Sequence, residues 1–225
     1  MKLEKITDSR KRYDDACAAA HAMDLFGERW AMPVMRELML GPRRFSDLKK
    51  TLSGISANVL TQRLEGLERM GVLGRRKLPP PASVQVYELT PWGYEAAPIF
   101  QAMGRWAARS PHHDPTRPFS AVSLLFSFRT MLDAGRAQGL AFTAGFRLGE
   151  ESFTWSLKNG AVAIARAPLD GADFVLTGDP RSIAAVAYGG VPLGEMERSG
   201  ALAVSGDRSL VARFLTLFPL PDKAS

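Results

Sequence analysis

The sequence predicts an α+β chain in two parts: helices closed by a basic β-hairpin, then an antiparallel sheet with helices. Three observations carry this reading. Between Arg43 and Leu89, two short helical repeats flank Ser53-Gly54-Ile55, and a charged strand, a proline run and an alternating return strand follow. From Leu140 to Ile164, apolar residues alternate with small or polar ones, the two-residue period of strands. The charge divides in the same way. Residues 1–118 hold 19 Lys+Arg against 13 Asp+Glu, whereas residues 119–225 hold 10 of each and nine of the 12 Phe. Ser110–Pro118 has three Pro and no period, so it reads as a linker between domains 1–115 and 116–225.

In chain order, residues 1–13 read as a charged tail. Asp14–Phe26 is Ala-rich, with Ala18, Ala22, Leu25 and Phe26 forming the apolar face of a helix. Trp30–Leu40 is the second helix, with Trp30, Val34 and Leu38 at steps of four. Pro33 is tolerable there only in the first turn, where its missing N–H goes unused. Phe45, Leu48 and Leu52 share one face of a third helix. Gly54 can take the positive φ that ends it, and Ser56 is a good N-cap for the fourth. There Leu60, Leu64 and Leu67 face the core, while Asn58, Gln62, Glu65 and Arg69 lie opposite, with Val59 and Arg63 on one flank.

Gly71 ends that helix. The next strand carries Arg75, Arg76 and Lys77, and Pro79, Pro80 and Pro81 cannot donate to a ladder, so the pairing opens there. On the return strand Tyr87 and Leu89 share one face, Val86 and Glu88 the other. Thr90-Pro91 then starts a long helix with an apolar stripe from Trp92 to Trp106, kinked at Pro98. A helix-turn-helix followed by a basic wing is the arrangement that a winged-helix DNA reader needs. Residues 43–77 hold nine Lys+Arg against three Asp+Glu, the same net +6 as the whole chain. Residues near the start of a recognition helix reach base edges, and basic residues on the wing reach phosphates. The expected contacts with double-stranded DNA are Arg43, Arg44, Ser56, Asn58, Val59, Gln62, Arg63, Arg75, Arg76 and Lys77.

Residues 14–109 resemble the HxlR-type family of bacterial winged-helix transcription regulators. The matching pieces are Cys17, Gly27-Glu28-Arg29-Trp30, Arg44-Phe45-Ser46-Asp47-Leu48, Gly54-Ile55-Ser56, Leu60-Thr61-Gln62-Arg63-Leu64, Gly71, the run Pro79-Pro80-Pro81 and Val86-Tyr87-Glu88-Leu89-Thr90, with Gly93 and Trp106. Glu28 departs from the small or neutral residue common in the family, and Ala18 replaces a Pro after the cysteine. The resemblance implies a homodimer, built mainly from the first and last helices, on a two-fold operator. It also gives Cys17 a second reading. The residue is either a small buried side chain of a dimer-forming helix or a redox-sensing thiol, with no resolving Cys beside it.

In the second part, Ser120–Ala134 is an apolar helix. Strands follow over Leu140–Leu148, Phe153–Leu157, Val162–Ile164 and Asp173–Thr177, with Asn159-Gly160 as a hairpin turn. Helices follow Asp179-Pro180 and Asp207. This order, with Gly171–Leu176, Gly190 and Gly200–Asp207, resembles the sterol carrier protein-like fold, which implies an apolar tunnel for an acyl chain or another hydrophobic small molecule. Its expected lining is Phe126, Phe142, Phe146, Phe153, Trp155, Phe174, Phe214 and Phe218.

No apolar run approaches the ~20 residues of a membrane span. The first residues lack an apolar signal core, and a single cysteine suits a reducing cytoplasm. There is no phosphate loop, nucleophile elbow or set of metal ligands, and His112-His113 is linker polarity. The expectation is a cytoplasmic, non-enzymatic regulator without cofactor or metal, its DNA binding modulated by an apolar ligand in the second domain. The alternative is an apolar-ligand carrier, or a second domain that only dimerises.

Overall fold

The computed structural model describes residues 13–224; the charged tail expected over 1–13 lies, Tyr13 apart, outside them. The chain forms two compact units, residues 1–97 and 98–225. The boundary expected at 115/116 falls within the second unit.

The first unit contains α1 (Ala18–Phe26), α2 (Ala31–Leu38), α3 (Phe45–Thr51), α4 (Ala57–Arg69), β1 (Leu73–Lys77), β2 (Gln85–Leu89) and α5 (Pro91–Tyr94). Trp30, expected inside α2, instead precedes it with φ 77°. Starting α2 at Ala31 puts Pro33 in the first turn, where it is harmless. Between α3 and α4 the turn rests on Gly54 at φ +87°, a region that disfavours any side chain. Ser56 Oγ accepts the Val59 N–H at 3.2 Å, capping α4. Val34, Leu38, Leu48, Leu60 and Leu73 are each 2% exposed or less and form the core with Leu64 and Leu67.

The hairpin runs in register from Leu73↔Leu89 to Lys77↔Gln85. Arg43 and Tyr87 exchange backbone hydrogen bonds at 2.9 and 2.8 Å, which fastens the segment before α3 to β2. Val86 and Leu89, of opposite parity on β2, are both buried. A two-stranded ribbon twists strongly, so side chains of both parities reach the core. The long helix expected from Thr90 is two helices, α5 and α6 (Ala97–Ala108). Pro98 cannot donate to Tyr94, and its ring would clash with that carbonyl, so the helix stops and restarts. Thr90 fixes the first start, accepting the Gly93 N–H at 3.0 Å and donating to Gly71 O at 2.8 Å.

The second unit continues with α7 (Ala121–Met131), β3 (Phe142–Leu148), β4 (Glu151–Lys158), β5 (Ala161–Arg166), β6 (Phe174–Gly178), α8 (Pro180–Ala187), α9 (Leu193–Arg198), β7 (Leu202–Gly206) and α10 (Arg208–Leu215). The strands form one sheet in the order β5-β4-β3-β6-β7. An antiparallel sheet was expected, but it is mixed, because β6 runs parallel to β3. The chain leaves β5 at one edge and crosses back over the sheet to reach the far side of β3. Gly145 permits that crossing: a Cβ there would meet Val175 at 3.0 Å, Ala172 at 3.1 Å and Leu169 at 3.3 Å. Asp179 and Asp207 cap α8 and α10. The expected linker has no helix or strand and is mostly exposed. It is nonetheless fastened, because Lys223 Nζ donates to the carbonyls of Ala108 and Ser110, both at 3.1 Å, at the C-terminal end of α6.

Candidate nucleic-acid interface

Helix α4 buries Leu60, Leu64 and Leu67, and this orients the rest of it. The crest opposite is Asn58, Gln62, Glu65 and Arg69, all exposed. Ser56 stands exposed at its start, its hydroxyl engaged in the cap. Val59 and Arg63 lie on one flank, half-buried, and Arg63 shares a cavity lining with Met23 and Leu25 of α1. The Arg63 side chain is 17% exposed, with Nη2 2.5 Å from Glu28 Oε2. On the other flank, Glu68 takes a two-point ion pair from Arg75 of β1: Nε–Oε1 at 2.9 Å and Nη2–Oε2 at 2.5 Å. The crest is therefore bracketed by two ion pairs of opposite polarity, which hold α4 to the turn before α2 on one side and to the wing on the other.

The wing is less positive than its sequence implies. Arg76 pairs with Glu88 at 2.5 Å, so two of the three bases of β1 face carboxylates. Both stay almost half exposed, 45% for Arg75 and 48% for Arg76, and Lys77 is exposed beyond them. Paired but exposed guanidinium groups keep N–H donors for another anion. Arg44 is exposed at the start of α3, its backbone N–H donating to Asp47 at 3.4 Å. Arg43 is half-buried, with Nη2 3.5 Å from Thr51. Glu65 and Arg69 belong to the exposed crest and extend it beyond the expected contacts. Their spacing of seven and eleven residues from Asn58 was the signal for including them.

Cys17 is exposed on the single chain. It stands at the N-cap of α1, where the backbone N–H groups of Ala20 and then Ala19 lower its thiol pKa. Amide dipoles at a helix start favour the thiolate.

In the second unit, the expected pocket residues pack on one another. The sheet places Trp155, Ala144 and Phe174 side by side. Ala144 is small, and the Phe214 ring stands over that gap, edge-on to Trp155 at 5.6 Å and to Phe174 at 5.5 Å. Phe142, Phe146 and Phe218 also surround Phe214. Phe128, which was not singled out, stacks on Phe218 at 4.5 Å. Phe153 is the partner of Phe146 across β3 and β4 and lies under Arg166 at 5.3 Å, while Phe126 lies under Arg129 at 5.9 Å. Tyr188 meets Phe128 and shares a 2.8 Å hydrogen bond with Ser127, while burial raises its hydroxyl pKa. Among the described residues, no group of three or more His, Cys, Asp or Glu could hold a metal ion, and no helix is long and apolar enough to cross a membrane.

Comparison with known proteins follows the two parts. Residues 25–114 match the family described as HxlR-like helix-turn-helix, and residues 117–224 match that described as alkyl sulfatase C-terminal. The second part, expected to resemble sterol carrier proteins, thus takes its match from the alkyl sulfatase family. The HTH-type transcriptional regulator YodB of Bacillus subtilis (strain 168) is 36% identical over 86 residues, 38% of this chain and 77% of YodB. Reduced YodB, as a solved structure, matches with a TM-score of 0.40 and 32% identity over 44% of this chain and 100% of that one. The sec-alkylsulfatase Pisa1 of Pseudomonas sp. matches with a TM-score of 0.41 and 18% identity over 46% of this chain and 16% of that one. Helix-turn-helix geometry, wing and sequence match agree: the chain is a DNA-binding transcription regulator and belongs to the HxlR-like helix-turn-helix family.

Proposed function

We propose that the chain acts in the cytoplasm as a homodimer that reads a two-fold operator through α4, without catalysing a reaction. The observation that carries this is the exposed polar crest of α4. It begins at a capped N-terminus and is held at both flanks by ion pairs. On this reading Asn58 and Gln62 pair with adenine edges and Arg69 with guanine or phosphate, while Ser56, Arg43, Arg44 and the wing bases Arg75, Arg76 and Lys77 meet the backbone. The homodimer draws support from large apolar side chains left open on the single chain, among them Trp106 at 77%, Trp92 at 48% and Ile99 at 45%. Two reading helices related by a two-fold axis would enter successive major grooves about 34 Å apart.

For the second unit we propose an apolar-ligand module of sterol-carrier type that biases operator binding. The match of residues 117–224 to a family named for alkyl sulfatases supports an alkyl-bearing ligand. Such a ligand has to part the rings around Phe214, so it acts only if it binds the opened arrangement more tightly than the closed one. Fluorescence anisotropy against the chain's own upstream DNA and a scrambled duplex, with and without a medium-chain fatty acid, tests both statements. Equal binding to the two duplexes removes the reader. An operator affinity unmoved by the fatty acid leaves the second unit as a dimerisation or structural module.

A further inference from the structure

Every base contact proposed for α4 lies on its crest, and Arg63 does not. Its guanidinium turns toward α1, into a cavity of about 260 Å³ whose lining includes Met23, Asp24 and Glu28 and reaches the crest residues Gln62, Glu65 and Arg69. Glu28 holds it there, with Nη2 2.5 Å from Oε2 and only 17% of the side chain exposed. Glu28 sits in the short turn between α1 and α2, 41% exposed and within reach of solvent. A guanidinium loose on a recognition helix would attract phosphate whatever the sequence, because backbone charge contacts supply non-specific affinity. Paired with Glu28 and turned away, it does not. The wing flank has the converse arrangement, with Glu68 held by Arg75. Between the two pairs, the helix presents to a duplex two neutral amides, one carboxylate and one arginine.

We infer that Glu28 is a positioning residue for sequence discrimination: it withholds Arg63 from the phosphate backbone, so that the crest of α4 rather than the net charge of the helix decides which duplex is bound. This rests on α4 being the reading element, as proposed above. The partner on α4 gives the acidic side chain at position 28 a role. The occupant of the flank is a side chain of the same unit, so neither a ligand nor a second subunit is needed for the effect.

The test is a cycle on the full chain: wild type, Glu28→Gln, Arg63→Ala and the double variant. Each is titrated by anisotropy against a duplex that the wild type enriches from a random pool and against a scrambled duplex, between about 50 and about 200 mM salt. Glu28→Gln keeps the size of the side chain and frees Arg63. It should tighten binding to the scrambled duplex, steepen the log–log salt slope by about 0.9 for each arginine released, and lower the ratio of selected to scrambled affinity. Arg63→Ala alone should leave the slope at its wild-type value, and Glu28→Gln should add nothing in its presence. A gain from Glu28→Gln that survives Arg63→Ala would mark a general charge effect and overturn the inference. So would a slope that falls on Arg63→Ala alone, because Arg63 would then already contact phosphate, or a Glu28→Gln variant that melts like the wild type with an unchanged slope. If the wild type enriches no duplex, the reading of α4 fails and takes this inference with it. An enriched duplex with a flat cycle sinks the inference alone.

Discussion

Gln62 stands in the middle of the exposed crest, one turn beyond Asn58, and the buried leucines behind it fix its direction. Replacing Gln62 with Ala removes a donor–acceptor pair but no core contact. The expected result is relaxed discrimination at one base pair, worth about 1–3 kcal/mol, with the thermal melt unchanged; equal losses on every sequence in a binding-site competition would remove the assignment. Arg76→Ala has a different signature. It deletes a cation beside Glu88, so binding should weaken on all duplexes and the salt slope should flatten by about 0.9 per site. Cys17 offers a pH test. Helix-start amides lower its thiol pKa, and a lowered pKa means that the thiolate forms at lower pH. Alkylation by iodoacetamide should therefore rise at a pH below that of a free cysteine peptide, and Cys17→Ser should abolish the reaction. A rate profile that matches the peptide would show no helix-start effect.

At the scale of elements, the first unit was largely legible because its signals are local. Leu60, Leu64 and Leu67 repeat at helical spacing, Gly54 and Ser56 punctuate the turn, and Pro79–Pro81 open the hairpin; neighbours in sequence decide all of these. The side-chain pairs that set the charge of the site were not legible. Glu28 and Arg63 are 35 positions apart and Arg76 and Glu88 are 12 apart, and no period connects them. The second sheet failed for the same reason. Alternation marks a strand but not its neighbour, so β3 and β6 read as members of an antiparallel set although they run parallel. Gly145 was the available clue, since a glycine inside a strand marks close approach of another segment. Gly145→Val should drive the crossing segment off β3, because even the first carbon meets Val175 at 3.0 Å. The expected outcome is a second unit destabilised by about 1–3 kcal/mol, read by denaturant titration; an unchanged midpoint would mean that the segment moves aside freely.

Across the whole molecule, charge and aromatic content separate in the sequence, and each compact unit has its own core. The first is built on Leu38, Leu48, Leu60 and Leu64, the second on Phe128, Phe146, Trp155 and Phe214. Two cores of this kind are expected to melt as two transitions, because a domain with its own core unfolds on its own. Assignment of the transitions follows from truncating one core at a time. Leu64→Ala leaves a cavity costing about 2–5 kcal/mol and should lower one transition; Phe214→Ala costs about 3–5 kcal/mol and should lower the other. Operator DNA then provides a check that does not depend on either variant. A ligand that binds only the folded reader stabilises it by RT ln(1 + [L]/Kd), about 2.7 kcal/mol at 100 times Kd. Differential scanning calorimetry with excess operator should therefore raise the transition that Leu64→Ala lowers and leave the Phe214 transition where it was. If both transitions rise together, the second unit feels DNA bound by the first. That coupling is what modulation by an apolar ligand requires, because a ligand that changes DNA affinity must by linkage be changed by DNA in equal measure. Separate transitions at a saturating fatty acid concentration would instead leave the reader independent of its aromatic neighbour.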